Sequence, residues 1–444
     1  MLCAEVIHTD VAVTSSFSCS DPVLNWLYEA YIRTQLDNYH GCIPSDCPHR
    51  ERLGYTGDGQ LTAETAMLLL DTKELYRKWY QDILDSQGAE TGHIPHTAPF
   101  LGGGGGPGGW GCAVYQVPLA WAKIYGDDSL LVQGYDAILL WFDYMDAHSE
   151  KGLVVREEEG GWCLGDWCFP ASEEKEQLPE AFINTFYYLH GLQEMMQISE
   201  KMNNKLPIRF AEREKNVKNA FLDAYFDPKT GDFCEGRAAG NAYGLTLGLG
   251  DERTKKHLVE KYEALGRFDT GIFGTSMLLE QLFSIGAGDL AVRLLTNDSE
   301  AASFAHMKRN GATTLWERWD GRESHNHPMF GACVRLLFTQ ILGIRMTPSA
   351  QPPVVNPTQP DVTAPQAQAL KPLNGELQPP AVPASAQHFS YEIRLSSQRQ
   401  LTWAKGSIQT PDGILSVSWE LLENGKKQVE WSLAPAGEDK VPTM

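Results

Sequence analysis

The sequence predicts a large, mainly α-helical domain followed by a small all-β domain, and three observations carry that expectation. From about Asp21 to Ile344 the apolar residues recur at three and four, the amphipathic helical period. Residues 347–386 hold many Pro, Gln and Ala and few large apolar groups, the composition of an extended linker. Beyond them, short runs with β-branched and aromatic residues at alternate positions are broken by Pro-Asp-Gly and Glu-Asn-Gly turns, as in strands joined by tight hairpins. With 444 residues the chain exceeds one core, which seldom grows past ~250–300 residues. It divides into a lead-in (1–20), a helical domain (21–346), the linker (347–386) and a β domain (387–444).

Leu24, Leu27, Tyr28 and Tyr31 open the helical series, and Ala137, Leu140, Trp141 and Tyr144 repeat it. Ala63–Leu70, Glu74–Ser86, Gln116–Tyr125, Asn184–Met202, Ile208–Tyr225, Thr254–Ala264, Thr275–Ile285, Gly288–Leu295 and Gly331–Leu342 also read as helices. At an average helix and loop this domain would hold roughly twelve. In the tail, Phe389–Leu395, Leu401–Lys405, Ile414–Glu420 and Gln428–Leu433 read as strands. No internal repeat is visible, so any helical repetition would have to be structural.

Composition narrows the partner. A net charge of -20 and a pI near 5.0 oppose binding to nucleic acid or an anionic membrane. No run of ~18 apolar residues exists to span a bilayer. The opening Met-Leu-Cys-Ala-Glu-Val-Ile-His lacks the basic start and apolar stretch of a secretory signal. Localisation stays open: periplasmic or extracellular if a signal lies upstream of this sequence, otherwise cytoplasmic. Nine cysteines, with Cys42/Cys47 and Cys163/Cys168 at loop-like spacing and no His at zinc-finger offsets, read as mostly buried thiols and not as a metal site. Twelve Trp, 16 Tyr and 17 Phe supply flat faces of the kind that cover sugar rings.

Two clusters could do chemistry. Residues 45–60 mix Asp46, Arg50, Glu51, Arg52 and Asp58 with interrupting Pro48, Gly54, Gly57 and Gly59, so their polar groups must be held by one another, water or a ligand. Cys47, Leu53 and Tyr55 in the same stretch resist full exposure. Far down the chain, Glu317 stands between Trp316 and Trp319 and beside Arg318; indole packing would raise its pKa and the guanidinium would lower it. His325 and His327 follow, one placed to meet a ligand and the other the scaffold if that segment is extended. Gly102 to Gly106 and Trp110 suggest a flexible rim without the basic residue of a phosphate loop. In Trp162 to Trp167, Asp166 could take a hydroxyl while Trp167 covers a ring.

Two carboxylates on separate loops amid Asp, Arg, His and Trp suit glycoside hydrolysis, one acid protonating the leaving oxygen and one base activating water or attacking. Phosphoryl transfer would want Lys or a metal cluster, and acyl transfer an activated nucleophile.

Five motifs now stand in order: Asp-Cys-Pro-His-Arg-Glu-Arg-Leu-Gly-Tyr-Thr-Gly-Asp (46–58), Leu-Gly-Asp-Trp (164–167), Thr-Gly-Ile-Phe-Gly-Thr (270–275), Ala-Thr-Thr-Leu-Trp-Glu-Arg-Trp (312–319) and Asn-His-Pro-Met-Phe-Gly-Ala (326–332). Together they resemble the bacterial α-L-rhamnosidases of glycoside hydrolase family 78. More loosely, residues 410–419 and Ala-Pro-Ala-Gly (434–437) resemble that family's C-terminal β-sandwich. The resemblance implies an (α/α)6 toroid of six hairpins with its pocket at one mouth, and inversion at the anomeric carbon. It implies Glu51 as general acid and Glu317 as general base. It implies that Asp46, Arg50, Asp58 and His327 hold rhamnose hydroxyls and that Tyr55, Trp110 and Trp167 wall the sugar; Asp166 and Trp316, read from their own loops, complete the candidate binding set. No metal or cofactor follows. Tyr55 stands where many relatives have Trp, and Cys112 where many have Asp. Relatives usually carry β-sandwich modules upstream, so the chain reads as a fragment or an unusually short member. The expected partner is a carbohydrate bearing terminal rhamnose, and a homodimer stays open. So do a toroid acting on another sugar and a non-catalytic carbohydrate-binding relative.

Overall fold

The computed structural model describes residues 7–102, 104–155, 163–201, 208–299, 302–349 and 388–435. Most of the expected linker (350–386), Trp162 and residues 436–437 lie outside the described residues.

Twelve α-helices occur among the described residues: α1 (Pro22–Asp37), α2 (Thr56–Leu69), α3 (Lys73–Ser86), α4 (Ala113–Tyr125), α5 (Ser129–Ala147), α6 (Glu180–Lys201), α7 (Ile208–Tyr225), α8 (Gly240–Thr246), α9 (Glu252–Leu265), α10 (Ile272–Ser284), α11 (Gly288–Thr296) and α12 (Phe304–Arg309). A 3-10 turn at Met329–Val334 and a π turn at Leu337–Ile341 follow. They form six hairpins in which every second segment lies inside. On the inner ring α2 packs on α4, α8 on α10, and α10 and α2 both on the 329–334 turn. Tyr115 Oη of α4 donates to Tyr187 O of α6 at 2.9 Å, and Phe186 of α6 meets Tyr243 of α8 edge-on at 4.9 Å. The ring is therefore closed. Outer helices are amphipathic and inner ones nearly all buried; α3 buries Leu75, Tyr76, Trp79, Tyr80 and Ile83 on one stripe, whereas α2 buries twelve of its fourteen residues.

Within the helical domain the path of the chain departs from the sequence reading in three respects. Gly57 and Gly59, read as interruptions, lie inside α2, because added Cβ atoms would meet the Trp110 indole at 2.5 Å and Trp79 at 2.2 Å; close packing, not a turn, requires glycine there. The single helix expected over Gly331–Leu342 is split into the two turns named above, with Gly331 pressed so near Tyr31 that a Cβ would sit 2.2 Å from the ring. Short α8 and α12 offer too few residues to display a period.

The β region has strands β1 (Ser15–Cys19), β2 (Ile344–Ser349), β3 (His388–Ile393), β4 (Trp403–Thr410), β5 (Gly413–Leu421) and β6 (Lys427–Ala434). An antiparallel sheet runs β1-β4-β5-β6, and β2 pairs with β3 in a two-stranded sheet, giving a sandwich-like region. Residues 15–19, expected within a lead-in, are thus its edge strand, with Ser15 opposite Ile408. Residues 347–349, expected in the linker, end β2. Alternation along β5 buries Leu415, Val417 and Trp419, and Trp419 Nε1 donates to Ile341 O at 2.9 Å. That indole pins the sheet to the toroid.

Candidate active site

The acidic cluster forms where loops lead into inner helices. Residues 46–53 close on themselves: Asp46 N donates to Leu53 O at 3.1 Å, and Leu53 N donates to Asp46 Oδ1 at 3.0 Å. Arg50 and Glu51 are carried near the tip of this loop. Thr56 N donates to His96 O at 2.7 Å and starts α2, placing Asp58 in its first turn, where the helix dipole favours a carboxylate. Residues 315–327 double back, with Glu317 N donating to Ser324 O at 2.8 Å and His327 N to Leu315 O at 2.9 Å. This fold-back puts Glu317 and His327 on one side.

Arg50 joins the two clusters. Its Nη2 lies 3.0 Å from Glu317 Oε2 and 3.6 Å from Glu51 Oε2, while Nη1 holds Glu323. Glu317 Oε2 also accepts from Ser324 N at 3.0 Å and lies 3.6 Å from His327 Nδ1. The other ring nitrogen of His327 is 3.0 Å from Asp58 Oδ1. The two catalytic candidates differ in access: the Glu51 side chain is 39% exposed and that of Glu317 7%. One carboxyl can meet a bulky leaving group and the other is held in a dry, fixed setting.

Burial raises the Glu51 carboxyl above its usual value, and contact with Asp46 adds to this, against the opposing charges of Arg50 and His327. Asp58 is likewise raised by burial, opposed by His327. Burial alone would lower His327, but Asp58, Cys47 and the charge of Glu317 lift it to about 10, so the ring is an imidazolium at neutral pH. Tyr55, half-buried beside these carboxylates, is pushed up to about 12 by burial and then by Glu51, Asp46 and Asp58. It remains a neutral hydroxyl.

The aromatic candidates sit around the cluster to differing degrees. Trp110 is buried against Gly57 and meets Phe273 edge-on at 5.4 Å and His96 at 5.6 Å. Trp167 is partly exposed under the Arg318 guanidinium, 5.1 Å from its ring centre, an arrangement that holds a cation over an indole face. Trp316 is buried and stacks on His325 at 4.7 Å. Asp166 is placed differently from a hydroxyl acceptor: its oxygens take main-chain N–H groups of Gly271, Phe273 and Gly274 at 2.9, 2.9 and 3.0 Å. It caps α10, and burial holds its carboxyl up at about 6 despite those three donors. Cys112 is buried, its thiol on Gly109 O at 3.2 Å, beneath the loop that carries Trp110.

Glu323 was not singled out from the sequence. It has φ 66°, in the left-handed region that a non-glycine residue enters at a cost, and it completes the grip on Arg50. Its signal was an acid six residues after Glu317 inside a loop dense in polar groups. Among the described residues, Asp46, Cys47 and His327 are buried and offer donor atoms that all lie within 4.8 Å of one another. A separate cavity of about 1180 Å3 inside the toroid is lined by Gln60, Glu64, Lys123, Glu280 and Arg335 but by none of the acid cluster. Two ion pairs line it: Glu64 is 2.7 Å from Lys123, and Arg335 is 3.0 Å from Glu280. Among the described residues no helix is long and apolar enough to cross a membrane.

Comparison with known proteins bears on this geometry. A family model described as the bacterial alpha-L-rhamnosidase 6 hairpin glycosidase domain matches residues 12–341. An alpha-L-rhamnosidase of Streptomyces avermitilis is 29% identical over 362 residues, covering 76% of this chain and 33% of its own. One from Formosa agariphila is 30% identical over 366 residues, covering 76% of this chain and 38% of its own. The crystal structure of the Streptomyces avermitilis alpha-L-rhamnosidase complexed with L-rhamnose superposes with a TM-score of 0.78 at 25% identity, covering 94% of this chain and 37% of that one. The chain thus spans about a third of the length of these relatives.

Proposed function

Because the chain belongs to the family of bacterial α-L-rhamnosidase six-hairpin glycosidase domains, we propose that it is an inverting glycoside hydrolase that removes terminal α-L-rhamnose from plant polysaccharides or glycosides. Glu51 is the general acid and Glu317 the general base that activates water. The observation that carries this reading is the single Arg50 nitrogen in contact with both carboxylates, which fixes an exposed acid and a buried base across one small space. Inversion requires the two carboxyls ~6.5–9.5 Å apart so that water fits between the base and the sugar; the shared Arg50 nitrogen holds the two Oε2 atoms to at most about 6.6 Å, the lower edge of that range, which makes the stereochemical test decisive. Asp46, Arg50, Asp58 and His327 are the hydroxyl-holding groups, with Tyr55, Trp110, Trp167 and Trp316 as the aromatic surround. Asp166 acts at one remove, by fixing the start of α10.

Hydrolysis of para-nitrophenyl α-L-rhamnopyranoside by the purified chain, with NMR of the first-formed anomer, tests the reading. The β anomer is expected first. Glu51→Gln and Glu317→Gln should each lower turnover by ~10²–10⁴-fold or more, the usual worth of a positioned proton transfer. Retention of configuration, or near-normal turnover in either variant, sinks the assignment of roles; turnover of another glycoside in place of this one moves the specificity and keeps the chemistry.

A further inference from the structure

Cys47 has no part in the proposed hydrolysis, yet it is fully buried at the centre of the site between Asp46 and His327. Asp46 Oδ2 and His327 Nδ1 are both buried without a hydrogen bond of ordinary geometry among the described residues; Nδ1 has only long contacts, 3.6 Å to Glu317 Oε2 and one to Cys47, and Asp46 leans on the Glu51 carboxyl. Asp58 faces the Nε2 side of the His327 ring, the carboxylate–imidazole arrangement that aims the opposite nitrogen at a metal. Carboxylate oxygen, thiolate sulfur and imidazole nitrogen with an open fourth position form a ligand set suited to Zn2+.

We propose that Asp46, Cys47 and His327 bind a thiophilic divalent cation of the Zn2+ class, and that the bound ion shuts the site by competing with the sugar. The ion displaces one proton from the Cys47 thiol and one from the His327 ring to solvent. Two positive charges replace two, so the charge of the pocket is unchanged. Metal–ligand bonds of ~2.0–2.3 Å bring tetrahedral donors within about 4 Å of each other, and side-chain shifts of about an ångström would close the present cluster. The ion acts as an inhibitor, not a cofactor: it would occupy Asp46 and His327, two of the groups assigned to the sugar hydroxyls.

Binding is tested without turnover. Titration of the full chain with Co2+ should produce a thiolate-to-cobalt charge-transfer band that disappears in Cys47→Ala and persists in Cys42→Ala, the nearby cysteine outside the cluster. No band in the parent chain, or an unaltered band in Cys47→Ala, overturns the site; Cys47→Ser replaces the alanine variant if the latter misfolds. Competition rests on the proposed function and is read separately. Zn2+ should raise KM for para-nitrophenyl α-L-rhamnopyranoside without lowering kcat, at least tenfold less effectively in Cys47→Ala, each protein being referred to its own metal-free kinetics. A fall in kcat at constant KM would overturn competition, and a chain that binds Co2+ but hydrolyses no rhamnoside would overturn the function and leave the site standing.

Discussion

Arg50 Nη2 lies 3.0 Å from Glu317 Oε2, a contact between residues 267 positions apart in the chain that ties the loop of the acid to the buried base. A planar guanidinium can serve several oxygens at once, whereas an ammonium is a point charge. Arg50→Lys should therefore fail to restore function: kcat/KM for the rhamnoside is expected to fall by ~10²-fold, the scale of a small misplacement of catalytic groups. Steady-state kinetics check this, and a lysine variant within threefold of the parent would mean that Arg50 supplies charge and not position.

Asp58 and His327 are both buried and 3.0 Å apart. Removing one member leaves an uncompensated charge in a dry setting, at a cost of about 3–5 kcal/mol. Asp58→Asn should accordingly lower Tm sharply, and Asp58→Asn/His327→Gln should recover part of the loss. Additive losses in denaturant titrations would show that the pair is solvated and the coupling small.

The Asp166 carboxyl, held at about 6, gives a pH signature. An unfolded Asp has a value of ~3.9, so the folded chain keeps this proton more tightly, and its contribution to stability is full below about pH 4 and lost as pH rises through about 6. The Tm of the parent minus that of Asp166→Asn should fall between those limits and stay flat at higher pH. A difference that rises with pH would place the folded value below the unfolded one.

Gly57→Ala sets two effects against each other. Alanine is favoured over glycine in a helix interior by about 1 kcal/mol, less at the second residue of α2 where Gly57 stands, while the new Cβ would meet the Trp110 indole at 2.5 Å, and overpacking costs ~1–3 kcal/mol. Steric cost should win, displacing Trp110 and raising KM. Gly57→Ala/Trp110→Phe, with a smaller ring, should regain stability; if it does not, the indole is not the obstacle.

The helical domain was legible because its outer helices carry a solvent face: α3 and α9 show the three-and-four period plainly, whereas the closed ring came only from the family resemblance. Inner segments were harder. The start of α2 is buried on all sides, so its glycines mimic turn signals, and the 329–341 segment leaves α-geometry for a 3-10 and a π turn that apolar spacing does not distinguish from a helix. Glu51 and Glu317 could be picked out because charge and aromatic density there served no packing pattern. Asp166 shows the opposite case. Its partners are main-chain amides 105 to 108 residues away, which no side-chain pattern announces, and so a helix cap resembled a hydroxyl acceptor. Glu323 stayed hidden for a related reason: its role depends on Arg50 arriving from the other end of the chain.

Ser16 Oγ meets Ser407 Oγ, 391 positions further along the chain, at 2.8 Å, because β1 takes its ladder partner from β4. On the ribosome, at ~5–20 residues per second, that partner arrives roughly 20–80 s after β1 has emerged. Through this interval the strand offers unpaired amides and carbonyls to any other extended chain, the hazard of an open edge. Newborn protein is therefore open to tangling during the wait for β4, and slower translation would lengthen the exposure of β1.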